Sequence, residues 1–168
     1  MNKVKLFTGL LAADLDILDA VKKPLTKAFG RIDFESPVWE FTHTGYYEKE
    51  MGRNLKRKFF GFERYVNVKN IYKAKLRTNL IERRFSRSGS RTINIDPGYL
   101  DAAKVVLFST KDYTHRIYLD GGIYAEVTLF YKDKTFNPWP WTYPDYKTKD
   151  YINIFNSMRE EYKRAGSH

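Results

Sequence analysis

Residues 58–66 read Lys58-Phe59-Phe60-Gly61-Phe62-Glu63-Arg64-Tyr65-Val66, a run rich in aromatic and β-branched residues and too short for an amphipathic helix. Read as a strand over Phe59 to Val66, it points Phe60, Phe62 and Val66 inward and Glu63 outward, because an unpaired buried carboxylate costs far more than three buried apolar side chains gain. Before it, Val4 to Leu10 alternates as a first strand. Asp14 then opens an amphipathic helix whose stripe is Leu15, Leu18, Val21, Leu25 and Phe29, with Gly30 as its stop. Ile32 to Trp39 supplies a second strand. After the quoted run, Val68 to Phe85 has helical spacing, and Thr92 to Ile95 forms a fourth strand ending in a turn at Asp96-Pro97-Gly98. The order βαββαβ predicts an α+β fold with a ferredoxin-like core, an antiparallel sheet with both helices on one face. From Tyr99 onward, a short helix, a β-hairpin and a C-terminal helix from Lys149 to about Arg164 are expected to cover the other face.

The hairpin has one register that gathers its apolar residues on one side. A three-residue turn through Asp120-Gly121-Gly122 aligns Leu119 with Ile123 and Ile117 with Ala125. It also places Arg116 across from Glu126 and Tyr118 across from Tyr124.

Charge is distributed unevenly. Between Arg53 and Arg91 thirteen Lys or Arg residues face two acids, Glu63 and Glu82, while the rest of the 168-residue chain has 17 basic residues against 18 acidic ones. The net charge of +10 therefore arises in one contiguous stretch. A one-sided field of this kind attracts phosphates by counterion release, so the expected partner is an anionic ligand, RNA or a nucleotide. Arg53, Lys56, Arg57, Lys58, Lys73 and Arg84 are the candidate nucleic-acid contacts, with a solvated basic face as the plain alternative.

The chain contains no Cys, which removes disulfides, thiolate nucleophiles and Cys-based metal sites. His43 and His115 lie too far apart for ligand spacing, so neither a metal site nor a cofactor is expected. The apolar stretch Leu6 to Ala13 stops at Asp14, too early for a signal peptide, and no run reaches the roughly 20 apolar residues of a membrane span. A cytoplasmic protein of one domain, residues 1–165, is expected, with 166–168 reading as a tag remnant and the oligomeric state left open. Absence of Gln together with 30% charged residues leans towards a thermophilic source.

The densest polar grouping runs from Asp96 to Arg116 and on to Glu126. Lys111, His115 and Glu126 are candidates for proton transfer, and Arg77, Asn79, Asp96, Lys111, Arg116 and Tyr143 for ligand binding. The alternative function is thus a small enzyme whose cleft lies between the 115–131 hairpin and the 136–146 segment, where Pro138, Pro140 and Pro144 alternate with Trp139, Trp141, Tyr143 and Tyr146. Turns and cross-strand ion pairs are the plain reading of the same residues, and an interaction module without a ligand is a third possibility.

Two resemblances add to this. Leu6-Phe7-Thr8-Gly9-Leu10-Leu11 and Lys58 to Tyr65 resemble the two strand motifs of the RNA-recognition motif, but Phe59 and Glu63 depart from its consensus, which leaves base stacking on these strands in doubt. Nearly the whole chain resembles an uncharacterised bacterial and archaeal family, a domain of unknown function. The phrases that carry this are Lys75-Leu76-Arg77-Thr78-Asn79, Asp96-Pro97-Gly98-Tyr99-Leu100, His115-Arg116-Ile117-Tyr118 and Pro140-Trp141-Thr142-Tyr143-Pro144-Asp145-Tyr146. That resemblance implies no activity, and the chain has no Gly-x-x-x-x-Gly-Lys-Ser/Thr phosphate loop.

Overall fold

The computed structural model describes residues 3–166; Ser167 and His168, read as part of a tag remnant, lie outside them. Among the described residues nine strands form one antiparallel sheet: β1 (Lys3–Ala12), β2 (Ile32–Glu35), β3 (Trp39–Glu40), β4 (Lys56–Asn67), β5 (Ile93–Leu100), β6 (Lys104–Ser109), β7 (Arg116–Asp120), β8 (Ile123–Lys132) and β9 (Thr135–Pro138). The order is β2-β4-β1-β5-β6-β8-β7, with β3 also on β4 and β9 also on β8. Helices α1 (Leu15–Ala20), α2 (Lys22–Phe29) and α4 (Lys73–Arg84) cover one face, α5 (Lys149–Ala165) and a 3₁₀ turn (Pro144–Lys147) cover the other, and α3 (Glu48–Met51) is a single turn. No helix among these residues is long and apolar enough to cross a membrane.

Two cores follow from the alternation of the strands. Leu6, Leu10, Phe60, Phe62, Ile93 and Ile95 pack under α1, α2 and α4, whereas Phe7, Phe59, Leu100, Leu107 and Leu129 pack under α5. β1 is buried on both sides, which explains why it reads as an almost unbroken apolar run. Glu63 points to solvent as expected and pairs with Arg31 at 2.7 Å.

Several expectations are corrected. The first helix breaks at Val21 because Pro24 has no N–H for the Ala20 carbonyl and its ring crowds that turn. The second strand breaks at Ser36-Pro37, where Ser36 exchanges hydrogen bonds with the Phe59 backbone through its own N–H and its Oγ. The helix expected from Val68 starts at Lys73, because Asn70 adopts a left-handed φ of 60°.

The largest change concerns Asp96-Pro97-Gly98, which is the middle of β5 and not a turn. Ile95 turns its N–H and C=O away from β1: the N–H donates to the Glu82 carboxylate at 2.8 Å and the C=O accepts from Lys75 Nζ at 3.4 Å. By strand alternation the N of Pro97 faces the same edge, and β6 joins β5 only from Gly98. Pro97 therefore lacks a donor where no partner strand needs one. The chain from Lys104 accordingly forms strand β6, which was not expected, and no short helix precedes the hairpin; a 3₁₀ turn at Pro144 follows it instead.

The hairpin register holds at its working end, with Arg116 opposite Glu126, Ile117 opposite Ala125 and Tyr118 opposite Tyr124. Its turn differs from the expected one. Gly121 and Gly122, both at positive φ, make a two-residue turn between Asp120 and Ile123, and a bulge at Leu119 absorbs the extra residue.

Candidate functional site

β5 and β6 diverge along Ile93 to Pro97, which has β1 on one edge and no strand on the other, and polar side chains gather along this seam and across the α5 face next to it. Strand alternation puts Glu126 on that face in the row of Gly98 and Leu107, with Arg116 across from it on β7. Glu126 Oε1 lies 2.8 Å from His115 Nε2 and accepts from Arg116 Nε at 3.2 Å, while Oε2 accepts from Thr128 at 3.1 Å. Arg116 also donates to the Lys111 carbonyl at 3.0 Å, to Ser109 Oγ at 3.2 Å and to Tyr143 Oη at 2.8 Å. Lys111 Nζ reaches Tyr46 Oη at 3.2 Å. The His115 ring stacks on Trp141, which stacks on Trp139 with centroids 5.0 Å apart. Trp141 Nε1 donates to the Val127 carbonyl, so the proline and aromatic segment is packed down on the sheet as a cover.

Lys111, His115, Arg116, Glu126 and Tyr143 thus converge. They also satisfy one another. Arg116 makes four hydrogen bonds of its own, which leaves it little capacity to clamp a ligand.

Arg57 enters the same face from β4, and its place corrects its expected role at a surface. Only 3% exposed, it donates to Asp145 Oδ2 and Tyr151 Oη at 3.1 Å each and lies under the Phe41 ring. Burial works against its charge, but Tyr146, Tyr151, Asp145 and Asp96 outweigh burial and hold it protonated. Burial pushes the Tyr47 phenol well up and nearby Asp96 adds to that, with Arg57, Tyr143 and Arg91 acting on the same group. On the helix side of the seam Asn79, Lys75, Glu82, Arg83, Arg91 and Thr110 line a hollow of about 290 Å³. Each buried or half-buried cation here has a carboxylate: Lys75 with Asp96 at 3.4 Å, Arg91 with Glu50 at 2.8 Å and Glu82 at 3.4 Å, Arg57 with Asp145, Arg116 with Glu126. Among the described residues no group of three His, Asp or Glu side chains is placed to hold a metal ion.

The basic stretch divides in space. Five of its thirteen cations, Lys56, Arg57, Lys58, Lys75 and Arg91, are answered by carboxylates, Lys56 by Glu40 and Lys58 by Glu35. Arg53 and Arg84 are exposed at other places. Arg64, Lys69, Lys73 and Arg77 surround a hollow of about 250 Å³ between α2, the end of β4 and the start of α4, floored by Leu6, Phe29 and Val66. None of these four has a carboxylate partner among the described residues; Arg77 donates only to the Ala28 carbonyl at 3.2 Å. Arg64 was missed because it lies at the far end of β4 from Lys56, Arg57 and Lys58, and only packing brings it next to the start of α4. Tyr47 and Tyr146 were missed because nothing in their spacing marks them.

The model of a family described as a domain of unknown function, DUF4416, matches residues 2–162. This chain belongs to that family. No curated protein and no solved structure matches it.

Proposed function

We propose that this DUF4416 protein binds a phosphate-bearing ligand, a nucleotide unit free or within RNA, in the groove between α2, β4 and α4. The observation that carries this reading is that Arg64, Lys69, Lys73 and Arg77 have no carboxylate partner among the described residues, while the buried and half-buried cations of the seam are all paired. Four unanswered cations over an apolar floor suit a phosphate joined to a sugar or base, the charge held by the rim and the flat group by Leu6, Phe29 and Val66. The reading takes the chain as one cytoplasmic domain. The antiparallel order β2-β4-β1-β5, with α1 and α2 in one crossover and α4 in the other, supports a ferredoxin-like βαββαβ core as its scaffold.

Titration of a labelled RNA oligonucleotide and of a nucleoside triphosphate into wild type and Lys73→Ala/Arg77→Ala tests it. The double variant is expected to weaken binding at least about tenfold and to flatten the salt dependence by about one unit of log slope per cation removed. Equal affinity and equal salt slope in the two proteins would refute the groove.

A second reading, a small enzyme at the seam, is favoured by the side chains of Ser109, His115, Thr128 and Tyr143 meeting the Glu126 and Arg116 pair. His115 and Glu126 would then move a proton.

A further inference from the structure

The sheet ends at β7, whose outer edge has no strand beside it among the described residues. Open edges are ordinarily guarded by Pro, Lys or other charged side chains, because their free N–H and C=O groups recruit further strands. The opposite edge, β2, is guarded in this way: it carries Asp33 and Glu35, which Lys5, Lys22 and Lys58 answer. β7 is not. Between Arg116 and Asp120 it reads Ile117-Tyr118-Leu119, all three exposed, Ile117 at 71%. Ile117 lies opposite Ala125, which packs against the core on the α4 side of the sheet. At the hairpin turn a Cβ on Gly121 would lie 3.0 Å from the Tyr72 ring and 3.4 Å from Leu76, so the apolar strip runs on from the edge strand to the exposed Leu76 of α4, with Leu80 one turn further on.

Backbone and sequence together decide what fits this edge. The Arg116 N–H donates to the Tyr113 carbonyl at 3.0 Å and not to β8. Alternation then turns the N–H and C=O of Ile117 towards β8 and those of Tyr118 outwards. A second β7 laid antiparallel and centred on Tyr118 would exchange two hydrogen bonds with the first at the axis. The same register sets Ile117 opposite Leu119 and Arg116 opposite Asp120, so apolar meets apolar and no like charges face each other. A strand complementary to itself is what a two-fold axis requires. We propose that β7 and the adjoining strip of α4 form the interface of a homodimer, in which the sheets of two copies join edge to edge at Tyr118. The bulge at Leu119 confines the ladder to the stretch before it, so the side chains of Leu76, Leu80, Ile117 and Leu119 supply the apolar contact around a short pairing. The dimer does not involve the phosphate groove, which faces α2.

Sedimentation equilibrium at protein concentrations up to about 100 μM tests the interface. Wild type is expected at twice the 19.9 kDa mass of one chain, Ile117→Lys/Leu119→Lys at the mass of one chain, and Leu15→Lys, on the exposed side of α1, at the wild-type mass. Because the chain has no Cys, a single introduced one reports the register. Opposed residues of an antiparallel pair lie about 5.5 Å apart, within reach of a disulfide, so Tyr118→Cys is expected to cross-link under mild oxidation at least about tenfold faster than Leu15→Cys. A wild type that stays a single chain would overturn the dimer and leave the edge to an extended segment of another protein. A dimer that survives Ile117→Lys/Leu119→Lys, or equal cross-linking of the two Cys variants, would overturn it as well.

Discussion

Gly98 shows how one missing side chain turns a phrase that reads as a turn into the middle of a strand. A Cβ there would run into the Val106 carbonyl and come within 2.6 Å of the Phe7 ring, so β6 can join β5 only because residue 98 is bare. Gly98→Ala is expected to destabilise the protein by about 3 kcal/mol, since backbone cannot yield as a flexible side chain can. Gly52, at a φ of 88° with open space around it, carries only the conformational part of the effect, and Gly52→Ala should lose about 1 kcal/mol. Urea midpoints of the two variants check the ranking; equal losses would show that β6 shifts to accept the methyl group. Arg116 carries a different lesson. Its place opposite Glu126 was legible from the hairpin sequence, but that Ser109, Lys111 and Tyr143 would take up its other donors was not, because they arrive from two other segments.

Among the elements, α4 does more than cover the sheet. Its buried Glu82 accepts from the Ile95 N–H and its Lys75 donates to the Ile95 carbonyl, so a helix supplies the hydrogen bonds that β6 leaves unmade along the open edge of β5. Burial raises the Glu82 carboxyl above its ordinary range, although the Ile95 N–H, Lys75 and Arg91 pull the other way. Glu82→Ala is expected to lose about 1–3 kcal/mol and to speed hydrogen exchange at Ile95 by at least tenfold, with Glu82→Gln, which keeps an acceptor, losing less. Unchanged exchange at Ile95 in Glu82→Ala would show that the edge is closed some other way. Elements with strong local signals were legible: α5 keeps its helical stripe from Thr148, whose side chain caps it, to Gly166, and the stop of α2 at Gly30 follows from its positive φ. β6 was not, because Val105-Val106-Leu107-Phe108 is a short apolar run whose state depends on what lies beside it.

For the whole molecule, the aromatic interior under α5 ties stability to alkaline pH. Burial raises the phenols of Tyr47, Tyr146 and Tyr151, that of Tyr151 to about 12. Below an ordinary tyrosine value of 10 both folded and unfolded chains keep these protons. Above it the unfolded chain releases them and the folded one does not, so this contribution to stability falls as pH rises from 10 towards 12. Thermal midpoints should therefore drop steeply from about pH 10, less so in Tyr151→Phe. Midpoints that stay level from pH 10 to 12, or fall equally in Tyr151→Phe, would contradict the buried placement. The amino-acid order alone established an α+β chain, the pairing of Arg116 with Glu126, and a concentration of positive charge in one stretch. Such features depend on neighbours in sequence or on a single hairpin. Which cations stay unanswered, and which polar groups surround Arg116, depended on side chains brought together from strands and helices far apart in sequence, where only packing sets the distances that decide an ion pair or a hydrogen bond.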